Sequence, residues 1–266
     1  MKLAHLFQRL FVVALMALLG ACATVQPESK AGDKSAGKPV SPSAAIDPWE
    51  NWNRKVFAFN EALDEAVLKP VATAYQNVVP QLVRTGVSNF FGNISDVWSA
   101  ANQFLQGKVG DGLNMGMRVL TNTLFGLGGV LDPASEMKLP KRSEDFGQTL
   151  AVWGVGNGPF LMLPLFGPST LRDTIAFPLD GYATSTSRWV DGANNYLVTP
   201  LFVVQVRSEL LETTQLISDV SLDKYSFIRD GYLARRLNQI YDGSPPLEKF
   251  DDEDAEPPAK TSDAKK

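Results

Sequence analysis

Residues 153–173 read WGVGNGPFLMLPLFGPSTLRD, and they restrict the folds open to this chain more than any other segment. Four glycines and three prolines in twenty-one positions argue against a continuous helix or a central strand. Gly loses the most backbone entropy on ordering, and Pro lacks the N–H that both kinds of hydrogen-bond ladder need. The remaining residues are largely bulky and apolar, so a solvated surface loop is no better an account. Nor is Gly154-Val155-Gly156-Asn157-Gly158 a nucleotide loop. Its spacing is G-x-G-x-G rather than G-x-G-x-x-G, Pro159 follows at once, and no Walker-type lysine is present.

The two ends of the chain read as processing and tethering segments. Residues 1–21, MKLAHLFQRLFVVALMALLGA, place Lys2 and Arg9 before an apolar run and small residues, the pattern of a secretory signal. The apolar run is too short for a membrane span. Leu19-Gly20-Ala21-Cys22 resembles a bacterial lipobox, which makes Cys22, the sole cysteine, the candidate lipidation site. Ala23 in place of an Asp favours the outer membrane, with the lipid anchor on its periplasmic side. Several acyl chains, each CH2 adding about 0.8 kcal/mol, give stable anchoring. Residues 22–46 then form a flexible Ser/Ala/Gly/Pro/Lys-rich tether, and residues 244–266 a disordered charged tail. One domain, residues 47–243, lies between them.

What processing removes also limits the chemistry. His5 is the only histidine and lies in the signal segment. The mature chain therefore has no Ser-His-Asp triad, Cys-His pair, His-ligated zinc or histidine base, and no metal or cofactor is expected. Carboxylate pairs and a Ser-Lys nucleophile remain available. Losing Lys2 and Arg9 from 25 basic residues, against 29 acidic ones, gives the mature chain a net charge of −6, which disfavours nucleic acid as a partner.

The domain reads as mostly helical. Asp47, Pro48 and Glu50 have the spacing of an N-cap, a first helical residue and a capping box. Trp49, Trp52, Val56, Phe59, Leu63 and Ala66 then recur at intervals of three and four, predicting a helix that ends near Lys69, before Pro70. Trp49, Trp52, Phe57 and Phe59 crowd this helix next to the anchor. They serve either the core or a water–lipid boundary, where an apolar ring with a polar N–H is favoured. Two shorter helices interrupted around Gly92 and ended by Gly107 are predicted next. After them, Gly112 to Leu131 forms a helix broken by Gly126-Leu127-Gly128-Gly129, which reads equally as a hinge or as a helix C-cap. Residues 201–219 look helical, and the last helix has Ser221 as its cap and Gly243 as its stop.

Several blocks resemble one known family. Asp47-Pro48-x-Glu50-x-Trp52-Asn53-Arg54 with Phe57-x-Phe59-Asn60 is similar to the opening of the VacJ-like, or MlaA, outer-membrane lipoproteins. So are Val79-Pro80, Arg84-x-Gly86-Val87-Ser88-Asn89-Phe90, and Arg118 with Asn122-Thr123, Gly126, Gly128-Gly129 and Asp132. The most specific block runs from Phe146-Gly147 through Trp153-Gly154-Val155-Gly156 to Arg172-Asp173, and Asp223-x-Tyr225-x-x-Ile228-Arg229-Asp230 closes the likeness.

The resemblance implies an all-α fold, a membrane-seated helical ring with irregular Gly/Pro-rich connections and a central amphipathic channel. It implies a non-enzymatic lipoprotein that removes mislocalised phospholipids from the outer leaflet. Its expected partners are a trimeric porin and a periplasmic lipid-binding carrier of the Mla pathway. Within that frame residues 153–173 become irregular backbone packed on membrane-seated helices, with Leu161, Leu163, Leu165 and Phe166 as apolar contacts. Arg172 and Asp173 are candidates for the channel lining or mouth, against a local ion pair or helix cap. Gly126, Gly128 and Gly129 are the candidate gating hinge, and Trp49, Trp52, Phe57 and Phe59 the candidate membrane-seating aromatics. The rival readings are a structural or porin-assembly lipoprotein and a peptidoglycan-cleaving enzyme.

Overall fold

The computed structural model describes residues 46–185 and 195–246. The signal segment, Cys22, the tether before Ile46, residues 186–194 and the tail beyond residue 246 lie outside the described residues.

Ten helices and one β-hairpin make up the described chain. Helix α1 spans Glu50–Leu63 and continues through a π-helical turn, Asp64–Leu68, into α2, Lys69–Val78. The predicted stop before Pro70 does not occur. The Lys69 N–H donates to the Asp64 carbonyl, five residues back, so the ladder has already widened where Pro70 enters without an N–H. Asp47 is not the cap either. Trp49 holds that position with no side-chain cap bond, while Asp47 is buried and accepts from Asn53 Nδ2 at 2.8 Å and from the Tyr225 hydroxyl.

Helix α3, Gln81–Leu105, is a single helix of 25 residues rather than two. Gly92 does not interrupt it, and a Cβ there would stand 3.1 Å from Lys141 Nζ. Helix α4, Val109–Phe125, packs antiparallel beside α3 and ends at Gly126, as the glycine cluster predicted. Short helices α5, Pro133–Glu136, and α6, Phe146–Val152, follow, capped by Asp132 and Asp145. Helix α7, Leu171–Thr184, packs on α6. Helix α8, Asn195–Glu209, packs on α2, and α9, Leu211–Val220, leads to α10, Lys224–Ile240. Ser221 is not the cap of α10, because Asp223 occupies that position.

Residues 153–173 are more ordered than their composition implies. Strands β1, Phe160–Leu163, and β2, Gly167–Thr170, pair antiparallel from Phe160 against Thr170 to Leu163 against Gly167. Leu165 and Gly167 take positive φ (69° and 83°) at the turn, where only glycine is free of steric cost. Phe160 and Met162 point into a small apolar core with Val56 and Tyr225. Leu161 and Leu163 are half-buried, while Leu165 and Phe166 stand exposed at the hairpin tip.

Side chains are distributed the opposite way from a water-soluble domain. Among the described residues, buried polar and charged side chains outnumber buried apolar ones. The buried residues of α3 and α4 include Asn93, Asp96, Asn102, Gln103, Arg118, Thr121 and Asn122. Large apolar residues face outward instead, including Leu82 at 81%, Phe125 at 75% and Trp52 at 62% exposure. Water would penalise so much exposed apolar area, at about 25 cal/mol per Å2, whereas lipid would not. No helix among the described residues is long and apolar enough to cross a membrane.

Candidate functional site

The hairpin is held against α1 by two asparagine carboxamides one heptad apart. Asn53 Nδ2 donates to the Phe160 carbonyl at 3.1 Å, and the Met162 N–H donates to Asn53 Oδ1 at 2.9 Å. Two turns on, Asn60 Nδ2 donates to the Leu163 carbonyl at 2.9 Å and accepts from the Leu165 N–H at 2.8 Å. The amides thus stand in for a neighbouring strand and satisfy β1's outer edge. This arrangement sets the hairpin tip beside the π-helical turn.

Between the tip, the π-turn, α9 and the start of α10 lies a cavity of about 260 Å3. Its polar lining includes Asn60, Glu61, Asp64, Glu65, Lys69 and Arg207, with Lys224 at the α10 end. Leu68, Leu165, Phe166 and Leu211 supply its apolar part. Arg207 clasps Asp64 through both carboxylate oxygens, at 2.5 and 2.8 Å, and also donates to Thr214 Oγ1 at 3.2 Å. Lys224 Nζ is 2.6 Å from Glu61 Oε2. The bidentate clasp fixes α8 to the π-turn with the planar geometry that only Arg offers. The resulting space is amphipathic.

A second polar cluster supports the hairpin from behind. Arg236 binds Asp145 through both terminal nitrogens at 2.6 Å and Asp173 through Nε and Nη2 at 2.9 and 3.0 Å. Arg172 pairs with Asp173 and donates to Asn157 Oδ1 at 2.6 Å, and Tyr232 donates to Asp173 at 2.9 Å. Burial works to raise both carboxylates, but the Arg236 bonds and charge prevail and hold Asp145 and Asp173 below the usual carboxylate value. Burial also lifts the Tyr232 hydroxyl well above its ordinary range, with the Asp173 charge adding to it. The cluster ties α6, α7 and α10 together. Gly147 belongs to it because a Cβ there would stand 2.5 Å from both Arg236 and Asp173.

Arg172 and Asp173, predicted at the channel lining or mouth, therefore come together in this network. Arg172 is 3% exposed, its polar contacts are structural, and neither residue lines the 260 Å3 cavity. Arg172 and Asp173 form an ion pair, and Thr170 caps α7 by accepting from the Asp173 N–H. Gly126, Gly128 and Gly129 form the turn after α4, where the Gly128 and Gly129 N–H groups return to the Thr123 and Asn122 carbonyls. Gly128 and Gly129 have φ of 72° and 93°, and a Cβ on Gly129 would stand 2.7 Å from Asn93. Beyond the turn, Arg118 donates to Asp132 at 3.0 Å and to the Leu139 carbonyl at 2.6 Å, drawing residues 132–139 back onto α4. Trp49, Trp52 and Phe59 are exposed, whereas Phe57 turns inward onto Tyr225, with ring centroids 5.7 Å apart.

Sequence reading missed the cavity residues Asp64, Glu65, Lys69, Arg207 and Lys224. Their signal is faint: a run of charges on an amphipathic helix ordinarily reads as a solvated face.

Comparison with known proteins agrees with these observations. The chain is 38% identical over 194 residues to the intermembrane phospholipid transport system lipoprotein MlaA of Escherichia coli (strain K12), covering 71% of this chain and 76% of that one. The protein of the same name from Shigella flexneri is 37% identical over 194 residues, with the same coverage. A solved structure, described as the structural basis for maintenance of bacterial outer membrane lipid asymmetry, superposes with a TM-score of 0.62 at 33% identity. That match covers 73% of this chain and 98% of the other. The family model for the MlaA lipoprotein matches residues 45–239, which include the hairpin, the π-turn and the charged cavity, and the chain belongs to the MlaA lipoprotein family.

Proposed function

We propose that this protein is an outer-membrane lipoprotein that lets mislocalised phospholipids leave the outer leaflet through an amphipathic channel, so maintaining lipid asymmetry. It acts as a conduit and breaks no covalent bond. The observation that carries the reading is the inverted distribution of side chains: an apolar exterior around polar seams and a charged, partly apolar cavity. A headgroup needs polar neighbours inside a bilayer, and acyl chains need apolar ones, and such a distribution supplies both. The names of the relatives point the same way.

Lipidated Cys22 anchors the chain on the periplasmic side, while Trp49, Trp52 and Phe59 seat α1 at the lipid boundary. Phe57, partly buried against the core and 5.7 Å from the Tyr225 ring, is set apart from these three. The Gly126–Gly129 turn is the candidate hinge: Gly128 meets no other atom where a Cβ would stand, while Gly126 and Gly129 are tightly packed. A trimeric porin holds the protein in place, and a soluble periplasmic carrier receives the lipid.

The test is the outer-leaflet phospholipid content of cells lacking this protein, complemented with wild type, Gly128→Ala or the triple variant Trp49→Ala/Trp52→Ala/Phe59→Ala, with protein levels matched. Deletion raises the content and wild type restores it. The triple variant fails to restore it because the protein no longer seats, and Gly128→Ala shifts it. An unchanged content on deletion, in cells with no parallel route, overturns the transport reading.

A further inference from the structure

We infer that Glu65 and Lys69 form a station for zwitterionic headgroups, with Lys69 taking a phosphate diester and Glu65 a primary ammonium. The inference rests on the phospholipid-passage reading above and adds a substrate preference to it.

Two side chains in the order Glu then Lys, four residues apart, pair across one turn of an ordinary α-helix. Here they do not. Residues Asp64–Leu68 wind as a π-turn, and Glu65 and Lys69 lie on the side of it that lines the cavity. Among the described residues neither Glu65 nor Lys69 has an ion-pair partner, although both line the 260 Å3 cavity. The other charged groups of that cavity are matched: Asp64 with Arg207, and Glu61 with Lys224.

The unmatched pair also has a distinct position. Glu65 and Lys69 line a second, shallower cavity of about 640 Å3 together with Pro70, Thr73, Ala74 and Asn77. Both residues thus border both spaces, within reach of a headgroup in either. The charges available to it are one carboxylate and one ammonium on a single turn, which complement a phosphoethanolamine group. Leu68 and Leu211 offer apolar surface beside them for the start of an acyl chain. An anionic phosphoglycerol group satisfies Lys69 but brings no cation to Glu65, and it also faces the Glu61 and Asp64 side of the cavity.

The probe is an equimolar mixture of phosphatidylethanolamine and phosphatidylglycerol. The full-length lipoprotein is mixed with it in detergent and repurified, and the retained lipids are counted by mass spectrometry. Wild type retains phosphatidylethanolamine about fivefold over phosphatidylglycerol, the ratio that an exposed charge pair of about 1 kcal/mol supports. Glu65→Gln brings the ratio close to one, Lys69→Met lowers retention of both lipids, and the charge exchange Glu65→Lys/Lys69→Glu recovers the preference. Both residues are exposed, so all three variants keep the fold. Lipid retained at one ratio by wild type and Glu65→Gln overturns the station and leaves the transport reading standing. No lipid retained by any protein overturns the transport reading itself. A soluble competitor, glycerophosphoethanolamine, separates the two sources of this chemistry: displacement of the lipid at equal concentration assigns the site to free headgroup compounds and overturns its role in lipid selection.

Discussion

Replacing Arg236 by Met removes four charge-assisted hydrogen bonds from a guanidinium whose side chain is 8% exposed. Deleting one partner of a buried ion pair costs about 3–5 kcal/mol, because the other charge remains buried. Asp173 keeps Arg172 and Tyr232, and Asp145 is 34% exposed and keeps the Gln148 N–H. The lower end of the range, about 3 kcal/mol, therefore applies. For a domain of this size that lowers the melting temperature by about 6–12 °C, measured by circular dichroism in detergent at pH 7.

The pH dependence gives a second, independent check. In the wild type, Asp145 and Asp173 are held below the usual carboxylate value. Their contribution is complete above the unfolded-state pKa of about 4 and fades as pH falls through the folded value. Without Arg236, Asp145 and Asp173 lose their main lowering partner, so the variant has less of this contribution to lose in acid. The gap between the two proteins must narrow as pH falls below about 4, where the wild type loses this contribution. A melting temperature within about 2 °C of wild type at pH 7 would refute the reasoning, as would a gap that stays constant with pH.

Other perturbations test the frame around the cavity. Asn53→Ala leaves the buried Met162 N–H and the Phe160 carbonyl without partners and is expected to cost about 2 kcal/mol or more, while Asn60→Ala, near an exposed tip, costs less than about 1 kcal/mol. Equal shifts in urea midpoint for the two would contradict the clamp. Gly129→Ala combines a φ of 93° with a Cβ 2.7 Å from Asn93 and costs about 3 kcal/mol, against about 1 kcal/mol for Gly128→Ala, whose surroundings are open. If chemical denaturation ranks these two the other way, the packed-turn description fails.

Much of this architecture is legible in the chain itself. Helical periodicity marks α1, and the glycine cluster marks the end of α4, because local spacing and backbone freedom decide both. The hairpin was hidden: alternation in FLML is invisible when Phe160 and Met162 face the core and Leu161 and Leu163 are also apolar. Pro70 and Gly92 misled for a related reason. Each lowers helix propensity locally, and each is overridden, Pro70 by a widened turn and Gly92 by a long helix that packs along α4. The aromatic residues of α1 form a periodic stripe, yet Trp52 and Phe59 lie outside while Asn53 and Val56 lie within. Periodicity finds an apolar face, but it does not say whether protein or lipid covers it.

The amino-acid order alone shows a single histidine, His5, and a single cysteine, Cys22, ahead of a largely helical domain that matches one family over residues 45–239. These properties follow from composition and from contacts within a few residues. Only the tertiary structure decided which charges are matched. Asp64 meets Arg207 across 143 positions, Lys224 meets Glu61 across 163, and Arg236 reaches Asp145 across 91. Glu65 and Lys69, four apart, have no ion-pair partner among the described residues. Coulomb attraction acts through space rather than along the chain, so the free pair becomes visible once the folded backbone has brought every competing charge into place.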